Sequence, residues 1–138
     1  MTQIIKLSKN PEETFKIAYD LAVKVDKPLL IGLTGELGTG KTIFAKGFAE
    51  GFGVKELVTS PTFLGISEYY SGLLPFIHMD FFKKIATKES IQSYLEKSVV
   101  LIEWIENFND VFKDKLKPDI FVYIQYLNNS ERQITIDF

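Results

Sequence analysis

The chain contains no cysteine, one histidine, one tryptophan and a single arginine, Arg132. Without cysteine it can form no disulfide bond, no thiolate zinc site and no cysteine nucleophile. Its apolar runs are far shorter than the roughly 20 residues that a membrane-spanning helix requires. The first residues, Met1 to Lys6, have neither the apolar region nor the cleavage site of a secretory signal. Together these absences predict a cytoplasmic protein.

Excess charge of either sign is also missing, because 16 basic and 18 acidic residues give a formal net charge of −2. A free-standing nucleic-acid-binding protein needs surplus basic side chains to displace counterions, so that class is disfavoured. The hydrophobic fraction of 46% excludes a disordered chain. No repeat or linker-like stretch divides the 138 residues, which predicts a single domain over residues 1–138.

Hydrophobic periodicity predicts a mixture of strands and helices. Asn10, Pro11 and Glu13 are typical of a helix start, with a cap, a proline in the first turn and an acidic third position. The apolar runs 29–33 and 99–102 are typical of strands buried on both faces. Helices are predicted at about 11–25, 42–52 and 88–95, and further strands at 3–7, 63–70, 74–79, 120–127 and 133–138. The last four form two predicted hairpins.

A glycine-rich segment, Gly35 to Thr42, satisfies the pattern G-x-x-x-x-G-K-[ST] in full. Glycines let the backbone wrap closely around a phosphate with several N–H groups directed inward. Lys41 supplies a positive charge for the β- and γ-phosphates, and the Thr42 hydroxyl is a Mg²⁺ ligand in such loops. The segment follows a buried strand and precedes a helix whose N-terminus attracts anions. Nucleotide binding is therefore predicted here.

Acidic residues follow two of the predicted strands. Glu103 ends the apolar run 99–102, where P-loop enzymes place a carboxylate that holds Mg²⁺, although aspartate is more usual. Asp80 ends the other strand and is a candidate for the metal or the attacking water, with a loop-capping role as the alternative. His78 is more typical of a structural histidine, and Trp104 of a packing residue.

The segment Ser60-Pro61-Thr62-Phe63 occupies the position at which many NTPases carry a switch loop that senses the γ-phosphate. Alone, it is equally typical of an ordinary turn. The sequence has no Asn/Thr-Lys-x-Asp motif, which disfavours a GTPase. One arginine is too few for the phosphate clamp of a typical small-molecule kinase. The class that remains is a minimal ATPase acting on a partner.

Four motifs in order resemble the bacterial TsaE (YjeE) family, the ATPase of tRNA threonylcarbamoyladenosine synthesis. They are Gly35 to Thr42, Ser60 to Phe63, His78-Met79-Asp80-Phe81-Phe82-Lys83 and Ile102-Glu103-Trp104. The resemblance extends from the Thr14 region to Arg132. It implies an α/β fold, a P-loop NTPase-like three-layer sandwich with a mostly parallel core sheet and antiparallel hairpin additions.

The resemblance also implies residue roles. Thr62 and Asp80 would act with Lys41 and Glu103 in catalysis, and Thr42, Glu103 and Asp80 would hold Mg²⁺. Thr14 would lie near the adenine, and Arg132 near the nucleotide. The implied nucleotide-binding set is Thr14, Glu36, Leu37, Gly38, Thr39, Gly40, Lys41, Thr42 and Arg132.

The implied function is hydrolysis of Mg-ATP to support turnover of the TsaB–TsaD complex that modifies tRNA, with tRNA contacted indirectly. Hydrolysis by the isolated chain should be slow, because the sequence has no second arginine to act as a charge-stabilising finger. A nucleotide-dependent binding module and a small-molecule kinase remain the alternatives. Two departures from the family pattern concern local geometry: Ile105 replaces a common proline, and the stretch 84–97 lacks a usual glycine. Neither departure falls on a predicted phosphate or metal position.

Overall fold

The computed structural model describes residues 2–59, 65–82, 88–107 and 117–138 of the chain. These residues form three helices and seven strands, with the bounds that follow in chain order. They are β1 (Gln3–Ser8), α1 (Pro11–Ala22), β2 (Leu29–Thr34), α2 (Lys41–Gly51), β3 (Ile66–Tyr69), β4 (Phe76–Asp80), α3 (Lys88–Leu95), β5 (Val99–Glu103), β6 (Ile120–Tyr126) and β7 (Arg132–Asp137).

The strands of the described residues form one sheet in the order β1-β7-β6-β2-β5-β4-β3. The four central strands, β6, β2, β5 and β4, are mutually parallel. The pairs β1–β7, β6–β7 and β3–β4 are antiparallel and extend the sheet at both edges. The predicted fold class, with its mostly parallel core sheet and antiparallel additions, is thus confirmed.

Two separate apolar cores lie on the two faces of the sheet. Helices α1 and α2 pack against one face, where their core includes Phe44, Phe48 and Leu101. Helix α3 covers the other face through Ile91, which shares a core with Ile102. Because consecutive residues of a strand point to opposite faces, the fully apolar sequence of β5 supplies both cores. This explains the unbroken apolar runs seen in the sequence.

The carboxyl ends of the parallel strands position the site. Thr34 ends β2 and leads directly into the glycine-rich loop, and Glu103 ends β5 beside it. In the parallel β4–β5 pair, Asp80 lies in register with Glu103. Ligand sites of α/β sheets lie at this edge, so the fold brings the loop and both acidic residues together.

Some element bounds differ from those predicted. Helix α1 begins as expected, since the Asn10 side chain accepts a hydrogen bond from the Glu13 N–H at 2.8 Å. It ends at Ala22 rather than near Val25, because the chain turns there and the Val25 N–H donates to Ala22 O. Val25 packs against the core from this turn, so the apolar stripe continues beyond the helix.

The predicted hairpin of 63–70 and 74–79 is shorter in the described residues. Strand β3 is Ile66–Tyr69, and residues 63 and 64 lie outside the described part of the chain. Strand β4 begins at Phe76, after Pro75, which has no N–H to donate to a ladder. The remaining predicted bounds agree to within about one residue. The extent of the domain over residues 1–138 stays a prediction.

None of the helices in the described residues is long and apolar enough to cross a membrane. The cytoplasmic localisation stays a prediction from the sequence.

Candidate nucleotide-binding site

The loop between β2 and α2 has a backbone conformation that its glycines permit. Gly38 and Gly40 have φ angles of 81° and 111°, in the left-handed region that other residues avoid. Gly40 is also the N-cap of α2, and the cap has no side-chain hydrogen bond. The loop therefore curls in front of the helix N-terminus, where free N–H groups and the helix dipole favour an anion.

Lys41 is folded back onto this loop. Its Nζ donates to the carbonyl oxygens of Gly35 at 2.7 Å and Glu36 at 2.9 Å, and it lies 4.2 Å from the ring centroid of Trp104. Burial lowers the pKa of Lys41, while the nearby carboxylates of Glu103, Glu106 and Asp80 oppose that effect. The ammonium group is thus held by two carbonyls and an aromatic face, all neutral groups. A bound phosphate would offer it a stronger, charged partner.

Glu103 is the most enclosed acidic group of the site. Its side chain is buried, and Oε2 lies 2.6 Å from His78 Nε2. The other oxygen, Oε1, accepts a hydrogen bond from the Thr42 hydroxyl at 3.3 Å. The structure therefore joins the hydroxyl of the glycine-rich loop to the acid that ends β5, as expected for a pair that shares a metal ion.

Asp80 combines the two roles that the sequence left open. One of its oxygens, Oδ1, accepts a hydrogen bond from the Phe82 N–H at 2.9 Å, which is a loop-capping contact. The residue also lines the cavity in front of Lys41 and Thr42. Burial raises the pKa of Asp80, and the nearby charge of Glu103 raises it further. The Phe82 N–H, His78 and Lys41 act in the opposite direction and lower the pKa of Asp80.

A cavity of about 410 Å³ opens in front of these groups. Its polar walls are the loop, Lys41, Thr42, Asp80 and Glu103, and its apolar walls include Phe82 and Trp104. No three acidic, histidine or cysteine side chains in the described residues are grouped to hold a metal by themselves. Thr42 and Glu103 nevertheless offer the adjacent hard oxygen donors that Mg²⁺ prefers when phosphate oxygens and water complete its coordination. The donor set fits Mg²⁺ bound with a nucleotide.

A second, smaller cavity of about 110 Å³ borders the same loop, shares Gly38, Gly40 and Ile43 with the first and is lined by none of its acidic residues. Thr14 and Arg132 line it together with Ser130. The remaining lining residues are Asn10, Pro11 and Thr39. The structure thus brings two residues from distant parts of the sequence to one side of the glycine-rich loop.

Arg132 is fixed in place beside this second cavity. Its Nε donates to Thr39 O at 3.2 Å, and its guanidinium lies 4.2 Å from the ring centroid of Tyr126. The Tyr126 hydroxyl in turn donates to Leu37 O at 3.0 Å. Strands β6 and β7 therefore brace the glycine-rich loop from the side, through two side chains that bind its backbone.

One predicted site residue, Glu36, is placed differently from the others. Glu36 has an exposed side chain and lines neither cavity, but its carbonyl oxygen accepts hydrogen bonds from Lys41 and from the Thr39 hydroxyl. Thr62, with the rest of residues 60–64, lies outside the described residues. The catalytic and ligand-binding roles assigned from the sequence stay predictions.

Several contacts of the site were missed from the sequence. The sequence favours a packing role for Trp104, yet its ring lies over Lys41, and its backbone has a φ of 60°, unusual for a large residue. Ile105, at one of the departures from the family pattern, is fully buried in the α3-side core. Trp104 directly follows Glu103 in the sequence, and this position was the available signal that it belongs to the site. No signal in the sequence indicated the partners of His78 and Tyr126.

The single tryptophan provides a direct test of this arrangement. Because nucleotide binding would draw Lys41 off the Trp104 ring, we expect ADP with MgCl₂ to change the intrinsic fluorescence in a saturable way. In a Lys41→Met variant, the emission should differ before addition and respond little to ADP. Calorimetric binding of ADP by the original chain without any emission change would contradict the expectation.

The loop, the parallel core and the acidic strand ends define a protein with a P-loop NTPase-like fold. The family model of the threonylcarbamoyl adenosine biosynthesis protein TsaE matches residues 8–134, and the chain belongs to this family. The resemblance noted from the motifs is thereby confirmed.

Individual proteins that are similar to this chain carry the name of the same family. The chain is 36% identical to the tRNA threonylcarbamoyladenosine biosynthesis protein TsaE of Bacillus subtilis, over 98% of this chain and 85% of that protein. It is 29% identical to the protein of the same name from Aquifex aeolicus, over 93% and 91% of the two chains. The crystal structure of Bacillus subtilis YdiB superposes with a TM-score of 0.79 at 32% identity, covering 98% of this chain and 84% of that one.

Proposed function

We propose that this chain is an ATPase that binds Mg-ATP at the Gly35–Thr42 loop and hydrolyses it to ADP and phosphate. Its role would be to support turnover of the TsaB–TsaD complex in threonylcarbamoyl modification of tRNA adenosine. The observation that carries the proposal is one cavity, walled by Lys41, Thr42, Asp80 and Glu103 at the carboxyl edge of the parallel sheet. Membership of the TsaE family supports the biological context.

Each polar group of the cavity has a distinct task in this proposal. The loop N–H groups and the start of α2 would bind the β-phosphate, and Lys41 would move from the loop carbonyls to the β- and γ-oxygens. Thr42 and Glu103 would hold Mg²⁺, which neutralises the charge that builds up on the phosphate oxygens. Asp80, in register with Glu103, would assist the metal or orient the water that attacks the γ-phosphorus.

The second cavity would receive the nucleoside. It shares two glycines of the loop with the phosphate cavity but none of the acidic groups, so a nucleotide with its phosphates on the loop would direct its other end there. Thr14 is buried and its hydroxyl pairs with Ser8 Oγ at 2.7 Å, which fixes this wall. Thr14 would then contact the base, and Arg132 would lie beside the nucleotide.

The isolated chain should be a slow enzyme. Its single arginine, Arg132, lines the second cavity, donates to backbone carbonyls and is absent from the described lining of the phosphate cavity. A strong arginine finger for the γ-phosphate would therefore have to come from a partner. With a net charge of −2, the chain would reach tRNA through its partner proteins rather than bind it strongly itself.

The decisive measurement is ATP turnover by the chain alone and with purified TsaB, TsaD and tRNA. We expect the complete mixture to raise the turnover rate by at least about tenfold, and by up to the 10³–10⁵-fold of an arginine finger if a partner supplies one. An unchanged rate would count against the proposal. Full tRNA modification by a hydrolysis-deficient chain would favour a binding module, and transfer of phosphate to a metabolite would favour a kinase.

A further inference from the structure

We propose that His78 is a positioning residue that holds the Glu103 carboxylate in the orientation required for a metal-bound nucleotide. The inference deepens the proposed function and rests on it, because it concerns how Glu103 would present an oxygen to Mg²⁺. It assigns a task to a histidine that the sequence favoured as merely structural.

The parallel pairing of β4 and β5 creates the contact. His78 is in register with Leu101, two residues before Glu103 and on the same side of β5. From there Nε2 reaches Glu103 Oε2 at 2.6 Å, with the two side chains 0% and 3% exposed. A carboxylate this deeply buried requires hydrogen-bond donors, and His78 supplies the shorter of its two contacts.

The two oxygens of Glu103 are therefore unequal. Oε2 is held by His78, whereas Oε1 has a longer contact of 3.3 Å with the Thr42 hydroxyl. Fixing one oxygen sets the plane of the carboxylate and leaves the other facing Thr42, the second proposed metal ligand. Hydrogen bonds of this kind orient metal-ligating carboxylates, and their loss typically lowers metal affinity or activity by 10–100-fold.

The surroundings of the other ring nitrogen, Nδ1, indicate that, in the part of the chain that the structure describes, the His78 imidazole serves Glu103 alone. His78 Nδ1 is buried and has no hydrogen-bond partner among the described residues, and the neighbouring Phe76 ring lies 6.5 Å away between centroids. Within the described part of the chain, the only polar contact of the imidazole is thus Glu103. With a proton on Nε2 the imidazole donates to Glu103, whereas a proton on Nδ1 would be a buried donor without an acceptor among the described residues.

A pair of variants separates positioning from packing. His78→Gln retains an N–H donor near the Nε2 position, and His78→Leu fills the site without a donor. We expect His78→Leu to raise the MgCl₂ concentration at which ADP affinity is half-maximally enhanced by at least about tenfold. His78→Gln should stay within about threefold of the original chain. ADP affinity without Mg²⁺, measured by calorimetry, should be alike in all three.

Two results would overturn the proposal: a folded His78→Leu with the original MgCl₂ dependence, or a His78→Gln as impaired as His78→Leu. Because His78 is the only histidine, its imidazole can also be followed in the unaltered chain by ¹⁵N NMR. The NMR measurement tests the contact between His78 and Glu103 even where His78→Leu does not fold. We expect the Nε2–H tautomer and a shift of its resonance in Glu103→Gln, whereas an Nδ1–H tautomer would refute the pairing.

Measuring both ATP hydrolysis and Mg²⁺-dependent ADP binding distinguishes the positioning role of His78 from the proposed ATPase function. If the original chain fails to hydrolyse ATP but shows Mg²⁺-enhanced ADP binding that depends on His78, the proposed ATPase fails and the positioning role stands. If it hydrolyses ATP while both His78 variants retain the original MgCl₂ dependence, the ATPase stands and the positioning role fails.

Discussion

Replacing Glu103 with glutamine is expected to lower the ATP turnover rate by about 100-fold while leaving ADP affinity in the absence of Mg²⁺ within a few-fold. The change removes the charge that ends β5 but keeps an oxygen toward His78 and nearly the same volume. Glu103 is the buried acid nearest to Thr42, so its charge would serve the metal and the phosphates rather than the nucleoside. Phosphate release and calorimetry measure the two quantities separately.

Glu106→Gln provides the matched control for Glu103→Gln. Glu106 also lies near Lys41, but its Oε2 accepts from the Thr34 hydroxyl at the end of β2 and it is not among the residues lining the phosphate cavity. We expect less than about tenfold loss of turnover for this variant. Equal losses in the two variants would mean that total negative charge near Lys41, and not the position of Glu103, controls the rate.

A Glu103→Gln chain that turns over ATP within tenfold of the original would contradict the proposed ATPase site. A chain that loses turnover yet fully supports repeated tRNA modification with TsaB and TsaD would contradict the proposed use of hydrolysis. The binding module would then be the better description.

Local sequence patterns were sufficient to predict most of the fold. The unbroken apolar run at 99–102 identified a strand buried on both faces, and Asn10 with Glu13 identified the first turn of α1. The glycine-rich pattern then placed the loop between β2 and α2. Patterns of this kind are local, because burial, capping and loop conformation are encoded by residues close together in the chain.

Contacts between distant segments could not be predicted in the same way. No rule of spacing joins His78 to Glu103, 25 residues apart, or Arg132 to Thr39, 93 residues apart. These pairs depend on which strands become neighbours and in which register. The ends of the predicted strands indicated Glu103 and Asp80, and the resemblance to a family supplied Arg132, but neither gave the bonds that hold these residues. Thr62 lies outside the described residues, so its role in a switch loop stays a prediction.

The close approach of α1 to α2 is another long-range feature, and it leads to the largest expected change in stability. Gly47 and Gly51 lie one turn apart on α2, facing the backbone of α1. A Cβ at position 47 would lie 2.3 Å from Phe15 O, and one at position 51 would lie 2.5 Å from Tyr19 O. Backbone atoms cannot rotate away as a side chain can, so a methyl group there forces the helices apart.

We therefore expect Gly47→Ala to destabilise the chain by about 2–3 kcal/mol, although alanine is favoured over glycine in a helix by about 1 kcal/mol. For a domain of this size, that loss corresponds to a fall in Tm of about 5–10 °C. Separating α1 from α2 would loosen the core around Ala18 and Phe48, which both helices share. Thermal and urea denaturation measure the change.

Glu50→Ala tests whether the effect depends on the facing backbone rather than on α2 itself. Glu50 lies on the same helix but is exposed, so alanine there should change stability by no more than about 0.5 kcal/mol. A Gly47→Ala chain as stable as the original would show that helix propensity outweighs the clash, and that α1 can move without cost. Because α2 begins with Lys41 and Thr42, we also expect Gly47→Ala to weaken ADP binding, whereas Glu50→Ala should leave it unchanged.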